Sequence, residues 1–124
     1  MPDIFATIAE ITGQTPANTI DGRSLVDTWT GGAIDRDALY FYYPHYHSAS
    51  MRPGAAIRMG DFKLFEYYDP PAYELYNLKT DPYETTDISN QETEVVENMT
   101  AELHRYLKSA GAIMHTPNPH WTGE

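Results

Sequence analysis

Apolar residues recur along this chain with two different periods, and the change of period marks out its elements. Ile4, Phe5, Ile8 and Ile11 fall at helical spacing behind Asp3, which can cap an N-terminus, and Gly13 is a natural stop. This predicts a short helix over 3–12. Residues 14–37 are punctuated by Pro16, Asp21-Gly22 and Gly31-Gly32 and read as loop, with one short helical turn around Ser24–Trp29. Trp29 reads as a packing anchor. From residue 38 the period drops to two. Residues 38–43 form a strand, and 55–59 and 62–67 form two more, joined at Gly60-Asp61 as a tight hairpin. Phe62, Leu64 and Glu66 alternate with Lys63, Phe65 and Tyr67. After a turn at Asp69-Pro70-Pro71-Ala72, residues 73–78 give a fourth strand. Residues 91–110 return to the helical period, with Val95, Val96, Met99, Leu103, Tyr106, Leu107 and Ala110 along one face. Acidic residues sit in its early turns, Arg105 and Lys108 lie near its end, and Gly111 terminates it.

The sum is α+β: a short N-terminal helix, about four antiparallel strands, and one long C-terminal helix. One long helix covers only one face of such a sheet. The opposite face carries Tyr, Phe and Leu, so it is expected either to pack on a partner or to self-associate as a homo-oligomer. The first helix is patterned from its first residues, as an internal segment of a longer protein would be.

Composition narrows the function. The chain has 124 residues, no cysteine, 8 Lys plus Arg and 18 Asp plus Glu, for a net charge of −10. It is long enough for a core without staples. The lack of Cys excludes a disulfide scaffold and a thiol nucleophile. So few cations argue against nucleic acid as a partner. No apolar run approaches the roughly 20 residues that cross a bilayer, so no membrane span is expected, and no signal peptide is visible. Tyr accounts for 10 residues, which suits half-buried strands and binding surfaces.

Candidate chemistry concentrates in the irregular stretch after the first strand. His45 and His47 are two apart and share a face of extended chain. Arg52 follows in the same loop, and Arg with two His suits an anionic group. A zinc site would need a third and fourth ligand. His115 and His120 lie far along the chain, and nothing in the spacing brings them to the first pair, so no metal ligands are assigned. Asp35-Arg36-Asp37 reads as a solvated turn, and Asn98-Met99-Thr100 as a chance sequon within a helix. There is no G-x-S-x-G, H-E-x-x-H or phosphate-binding Gly-Lys loop.

Five segments in order resemble the C-terminal region of the sulfatase family, the formylglycine-dependent sulfate-ester hydrolases. These are Asp3-Ile4-Phe5-Ala6-Thr7-Ile8 with Glu10-Ile11-Thr12-Gly13, then Asp21-Gly22-Arg23-Ser24-Leu25, then Leu39-Tyr40-Phe41-Tyr42-Tyr43-Pro44-His45-Tyr46. Ala56-Ile57-Arg58-Met59-Gly60-Asp61-Phe62-Lys63-Leu64 and Glu74-Leu75-Tyr76-Asn77-Leu78-Lys79-Thr80-Asp81-Pro82-Tyr83-Glu84 complete the set. Ala6 stands where the family usually has Pro, and Tyr42 where many relatives have His.

The resemblance implies a single C-terminal subdomain over 1–124. Residues 1–37 would be carried over from the end of a large N-terminal α/β domain, and 38–124 would form the sheet, helix and tail. That N-terminal domain would be the partner of the open sheet face. The family's nucleophile, a formylglycine made from Cys or Ser in C/S-x-P-x-R, has no counterpart here, because none of Ser24, Ser48, Ser50, Ser89 and Ser109 is followed by x-Pro-x-Arg. The family's calcium ligands also find no match. No catalytic residue is therefore assigned. Calcium and formylglycine are expected only in a full-length enzyme, and the chain alone is expected to be inactive. The resemblance further implies that the loop after the first strand reaches the mouth of the substrate pocket. That makes His45, His47 and Arg52 candidate contacts to a sulfated small molecule or glycan, with His115 and His120 near the same rim. It implies an extracytoplasmic setting for the full-length enzyme. Two alternatives stand beside it: a free-standing carbohydrate- or anion-binding module, and a small metal-binding protein.

Overall fold

A computed structural model of the chain describes residues 2–34, 36–46, 52–114 and 116. The candidate residues His47, His115 and His120, and the tail from residue 117 on, fall outside them. The chain divides into two compact units, Met1–Arg36 and Asp37–Glu124.

The first unit holds helix α1 (Pro2–Ile11) and the single turn α2 (Val26–Trp29). Asp3 organises it. Its carboxylate accepts two hydrogen bonds from the Arg36 guanidinium, at 2.6 and 2.8 Å, and one from the Arg23 backbone N–H at 2.9 Å. The Thr7 hydroxyl donates to the Asp3 carbonyl at 2.7 Å and accepts from the Leu25 N–H at 3.0 Å. Gly22 has no alternative, since a Cβ there would stand 2.2 Å from the Pro2 carbonyl oxygen. The first two sequence segments are thus a helix and the strap that crosses it. Within this unit Ile4, Phe5, Ile8 and Ile11 remain exposed.

The second unit is an antiparallel sheet of β1 (Ala38–Tyr43), β2 (Gly54–Met59), β3 (Phe62–Tyr68) and β4 (Pro71–Asn77) in the order β1-β2-β3-β4. The hairpin turns at Gly60, whose φ of 57° favours glycine. Register places Tyr40, Ile57, Leu64 and Leu75 in one cross-strand row. Onto that row packs α3 (Thr93–Ser109), contributing Met99, Leu103 and Leu107. Ile57, Leu64, Leu75 and Leu103 are fully buried, each contributing about 1.5–3 kcal/mol by burial. Three further ties fix α3. Tyr40 stacks on Tyr106 with centroids 3.7 Å apart, and its hydroxyl donates to Glu102 at 2.6 Å. His104 Nε2 lies 2.8 Å from the buried carboxylate of Glu66. The outer edge of β4 is met at Leu75, whose N–H donates to Asp87 and whose carbonyl accepts from Ile88.

Three element starts differ from expectation by more than a residue, the first being the short helical turn, which begins at Val26 rather than at Ser24. The last strand begins at Pro71 rather than at 73, and the long helix at Thr93 rather than at 91. Pro71 opens an edge strand, where a missing N–H breaks no ladder bond.

Candidate functional site

Alternation divides the sheet between two tasks. Odd positions of β2 feed the core under α3, so Ala56 and Arg58 face the other way, together with Phe41, Tyr43, Phe65 and Tyr67 on the neighbouring strands. At one end of this open face lies a groove of about 610 Å³. Phe41, Tyr43, Phe65, Tyr67 and Arg52 line it. Phe41 is 54% exposed, although its strand neighbours Tyr40 and Tyr42 are half-buried.

Arg52 sits over the ring of Tyr67 in this groove. Its guanidinium carbon stands 3.6 Å from the centre of the Tyr67 ring, within the range of a cation–π contact. One of its nitrogens is 3.5 Å from Glu74. Glu74 in turn accepts hydrogen bonds from the Tyr67 hydroxyl at 3.0 Å and the Tyr76 hydroxyl at 3.1 Å. Burial, then the Glu74 carboxylate, pushes Tyr76 up to about 12 and raises Tyr67 as well, so both phenols stay protonated donors. Phe65 stacks parallel to Tyr67 with centroids 6.0 Å apart and meets Tyr76 edge-on.

His45 is exposed just beyond β1, with its ring edge-on to Tyr43 at 5.8 Å. Tyr43 is the link between the two predicted residues that the structure describes: it carries His45 on one side and lines the Arg52 groove. The next residue, Tyr46, is tied to Asp69 through its hydroxyl, which anchors the start of the loop to the β3–β4 turn. His47 lies outside the described residues.

Two groups were not singled out from the sequence. Tyr67 and Glu74 were visible only as strand residues, and nothing local announces that they frame Arg52. Glu66 did leave a signal, because it shares an alternating row with Phe62 and Leu64 and so needed a partner; His104 is that partner. Among the described residues no group of three or more His, Asp and Glu side chains could hold a metal ion. No chemical step is derived through calcium or formylglycine, which are expected only in a full-length enzyme.

The antiparallel sheet under one long helix, reached through this order of segments, defines a sulfatase C-terminal domain. The chain belongs to the family described as N-sulphoglucosamine sulphohydrolase, C-terminal, which it matches over residues 2–111. A curated relative, a sulfatase of Formosa agariphila, is 29% identical over 122 residues, covering 85% of this chain and 22% of its own length. A structure solved in complex with its substrate D-glucosamine-2-N,6-O-disulfate is 26% identical with a TM-score of 0.69, covering 86% of this chain and 23% of that one. The phosphonate monoester hydrolase of Agrobacterium radiobacter is 27% identical with a TM-score of 0.57, covering 87% of this chain and 24% of that one. A 2-O GAG sulfatase shares the fold at 19% identity and a TM-score of 0.74. The chain thus spans about a quarter of the length of the relatives it matches. No described helix is long and apolar enough to cross a membrane.

Proposed function

We propose that this chain is the structural and substrate-rim domain of a sulfuric ester hydrolase acting on a sulfated glycan or small molecule. The nucleophile and calcium would come from an N-terminal sulfatase domain, in the same polypeptide or a separate one, in an extracytoplasmic setting. Arg52 carries the reading. A guanidinium fixed against an aromatic ring at the end of an open sheet face presents its donors to a planar or tetrahedral oxyanion. His45, beside Tyr43, is a second rim contact in this reading, and His47 stands with it as a candidate by the resemblance alone. The exposed apolar stripe of α1 and the remaining open sheet face are the surfaces the N-terminal domain would cover. The test joins this chain to such a domain and follows hydrolysis of D-glucosamine-2-N,6-O-disulfate. Arg52→Ala should raise KM about tenfold or more, as loss of a charged hydrogen bond does. The isolated chain with an aryl sulfate and calcium should give no turnover; activity above buffer would overturn the assignment of the chemistry to another domain.

The likeness to a phosphonate monoester hydrolase favours one second reading, in which the oxyanion is a phosphonate ester. Parallel assays with an aryl sulfate and an aryl phosphonate ester separate the two by their ratio of kcat/KM. A free-standing glycan-binding module is a distinct alternative, marked by the absence of any gain in sulfate-ester turnover when the chain is joined to an N-terminal sulfatase domain.

A further inference from the structure

The aromatic residues around Arg52 do more than enclose it. We infer that Tyr67, Glu74 and Tyr76 are positioning residues that hold the Arg52 guanidinium for the sulfate group of a sugar whose ring lies in the groove along Phe41, Tyr43 and Phe65. This rests on the reading of Arg52 as an anion contact and names what prepares it. A free arginine side chain loses about 2 kcal/mol of rotamer freedom when it is fixed. Here the ring of Tyr67 lies against the guanidinium and Glu74 stands 3.5 Å from one of its nitrogens. Glu74 itself is not free to swing, because two phenols donate to it. Arg52 also lines the aromatic groove, whose volume of about 610 Å³ falls within the roughly 300–1,000 Å³ typical of small-ligand sites. Aromatic walls suit the apolar C–H face of a pyranose, and a single cation at the rim suits one anionic substituent.

The carboxylate beside Arg52 makes the idea sharply testable, because two roles for Glu74 predict opposite signs. If Glu74 only competes with the ligand for Arg52, Glu74→Gln removes an anion and tightens sulfate binding. If it positions Arg52, the same change weakens it. The experiment titrates the 124-residue chain with glucosamine 6-sulfate and with unsulfated glucosamine, reading NMR shifts of the Phe41, Tyr43 and Tyr67 rings and of the Arg52 side-chain N–H. The sulfated sugar should move these signals and the unsulfated one should not. Tyr67→Leu should weaken binding about tenfold, as loss of a desolvated cation–π contact does. Tyr67→Phe, which keeps the ring, and Glu74→Gln should each weaken it by a smaller factor and broaden the Arg52 N–H signal, with thermal midpoints close to the parent chain. Tighter binding by Glu74→Gln, or unchanged binding by both Tyr67 variants while Arg52→Ala loses it, would overturn the positioning role and leave the proposed function standing. Unchanged binding by Arg52→Ala would overturn the anion contact itself. Ring shifts that follow protein concentration and ignore the sugar would show a second copy of the chain in the groove, and overturn the ligand assignment.

Discussion

The ammonium nitrogen of Lys63 stands 2.7 and 2.9 Å from the two carboxylate oxygens of Glu84, joining the β2–β3 hairpin to the turn that follows β4. Lys63 lies in the fourth of the five ordered segments and Glu84 ends the fifth, so the pair fastens one segment to the next. Glu84 reaches it from a left-handed backbone, with φ 56°. That conformation costs a non-glycine residue about 1 kcal/mol or more, and the ion pair, with both side chains about a quarter exposed, returns about as much. Glu84→Ala should therefore destabilise the chain by about 1 kcal/mol, since it loses the pair and keeps the strain. Glu84→Gly loses the pair and relieves the strain, and should unfold closer to the parent. Urea unfolding monitored by circular dichroism gives the order; alanine more stable than glycine at this position would contradict it.

The core row makes a larger prediction. Leu64 and Leu75 lie opposite each other in the β3–β4 register and are fully buried beneath Leu103 and Met99. Truncating a buried leucine removes its transfer free energy and leaves a cavity, typically about 2–5 kcal/mol. Leu64→Ala should fall within that range and lower the thermal midpoint by several degrees. Phe41→Ala, on the open face, removes a larger side chain and should cost far less. Comparable losses at both positions would mean that the open face is covered in the isolated chain.

Acid should weaken the attachment of α3. The guanidinium of Arg105 and then the hydroxyl of Tyr40 hold the Glu102 carboxyl down to about 2 from an ordinary 4.5. Backbone N–H groups led by that of Thr86 also lower Asp81. A carboxylate with a depressed folded pKa lends stability that is complete above its unfolded pKa and is lost as the pH falls toward the folded value. Unfolding midpoints should thus hold steady above about pH 5 and decline toward about pH 2. Glu102→Gln should give a shallower decline. Because Glu102 is partly exposed, the gain from this group is modest and should shrink with added salt. A variant curve parallel to the parent's throughout would remove Glu102 from the account.

Most of the architecture was legible because both periods are strong. Ile57, Leu64 and Leu75 are buried where alternation places them, and Met99, Leu103 and Leu107 repeat at i, i+4, i+8 on α3. The start of β4 was misplaced because Pro71 reads as a breaker, and only pairing on one side makes it harmless there. The site was legible to a lesser depth. Arg52 stood out in its loop, but its partners are 15 and 22 positions away on two strands, and only tertiary register brings Tyr67 and Glu74 under it. The pairing of Glu66 with His104 spans 38 positions between a strand and a helix. Alternation placed Glu66 in the row of Phe62 and Leu64, but nothing in the sequence pointed to His104.

The open face leads to the last prediction, on association. Phe41, Tyr43, Phe65 and Tyr67 form an apolar patch on a sheet whose β1 strand is an edge, and Ile4, Phe5, Ile8 and Ile11 form a second patch on α1. Patches of this kind mark association surfaces, and the net charge of −10 opposes association only through a field that salt screens. The chain should therefore self-associate at high concentration, and more so as salt rises. Light scattering on three samples separates the two patches. Phe41→Glu should shift the population toward monomer if copies meet through the sheet, and Ile8→Glu should do so if they meet through α1. Both residues are exposed, so neither change should lower the thermal midpoint appreciably. The sheet is the expected surface, because β1 stands at the end of the strand order and an edge strand can add backbone pairing to an apolar contact, which a helix cannot. A strictly monomeric parent chain at every concentration and salt would refute self-association.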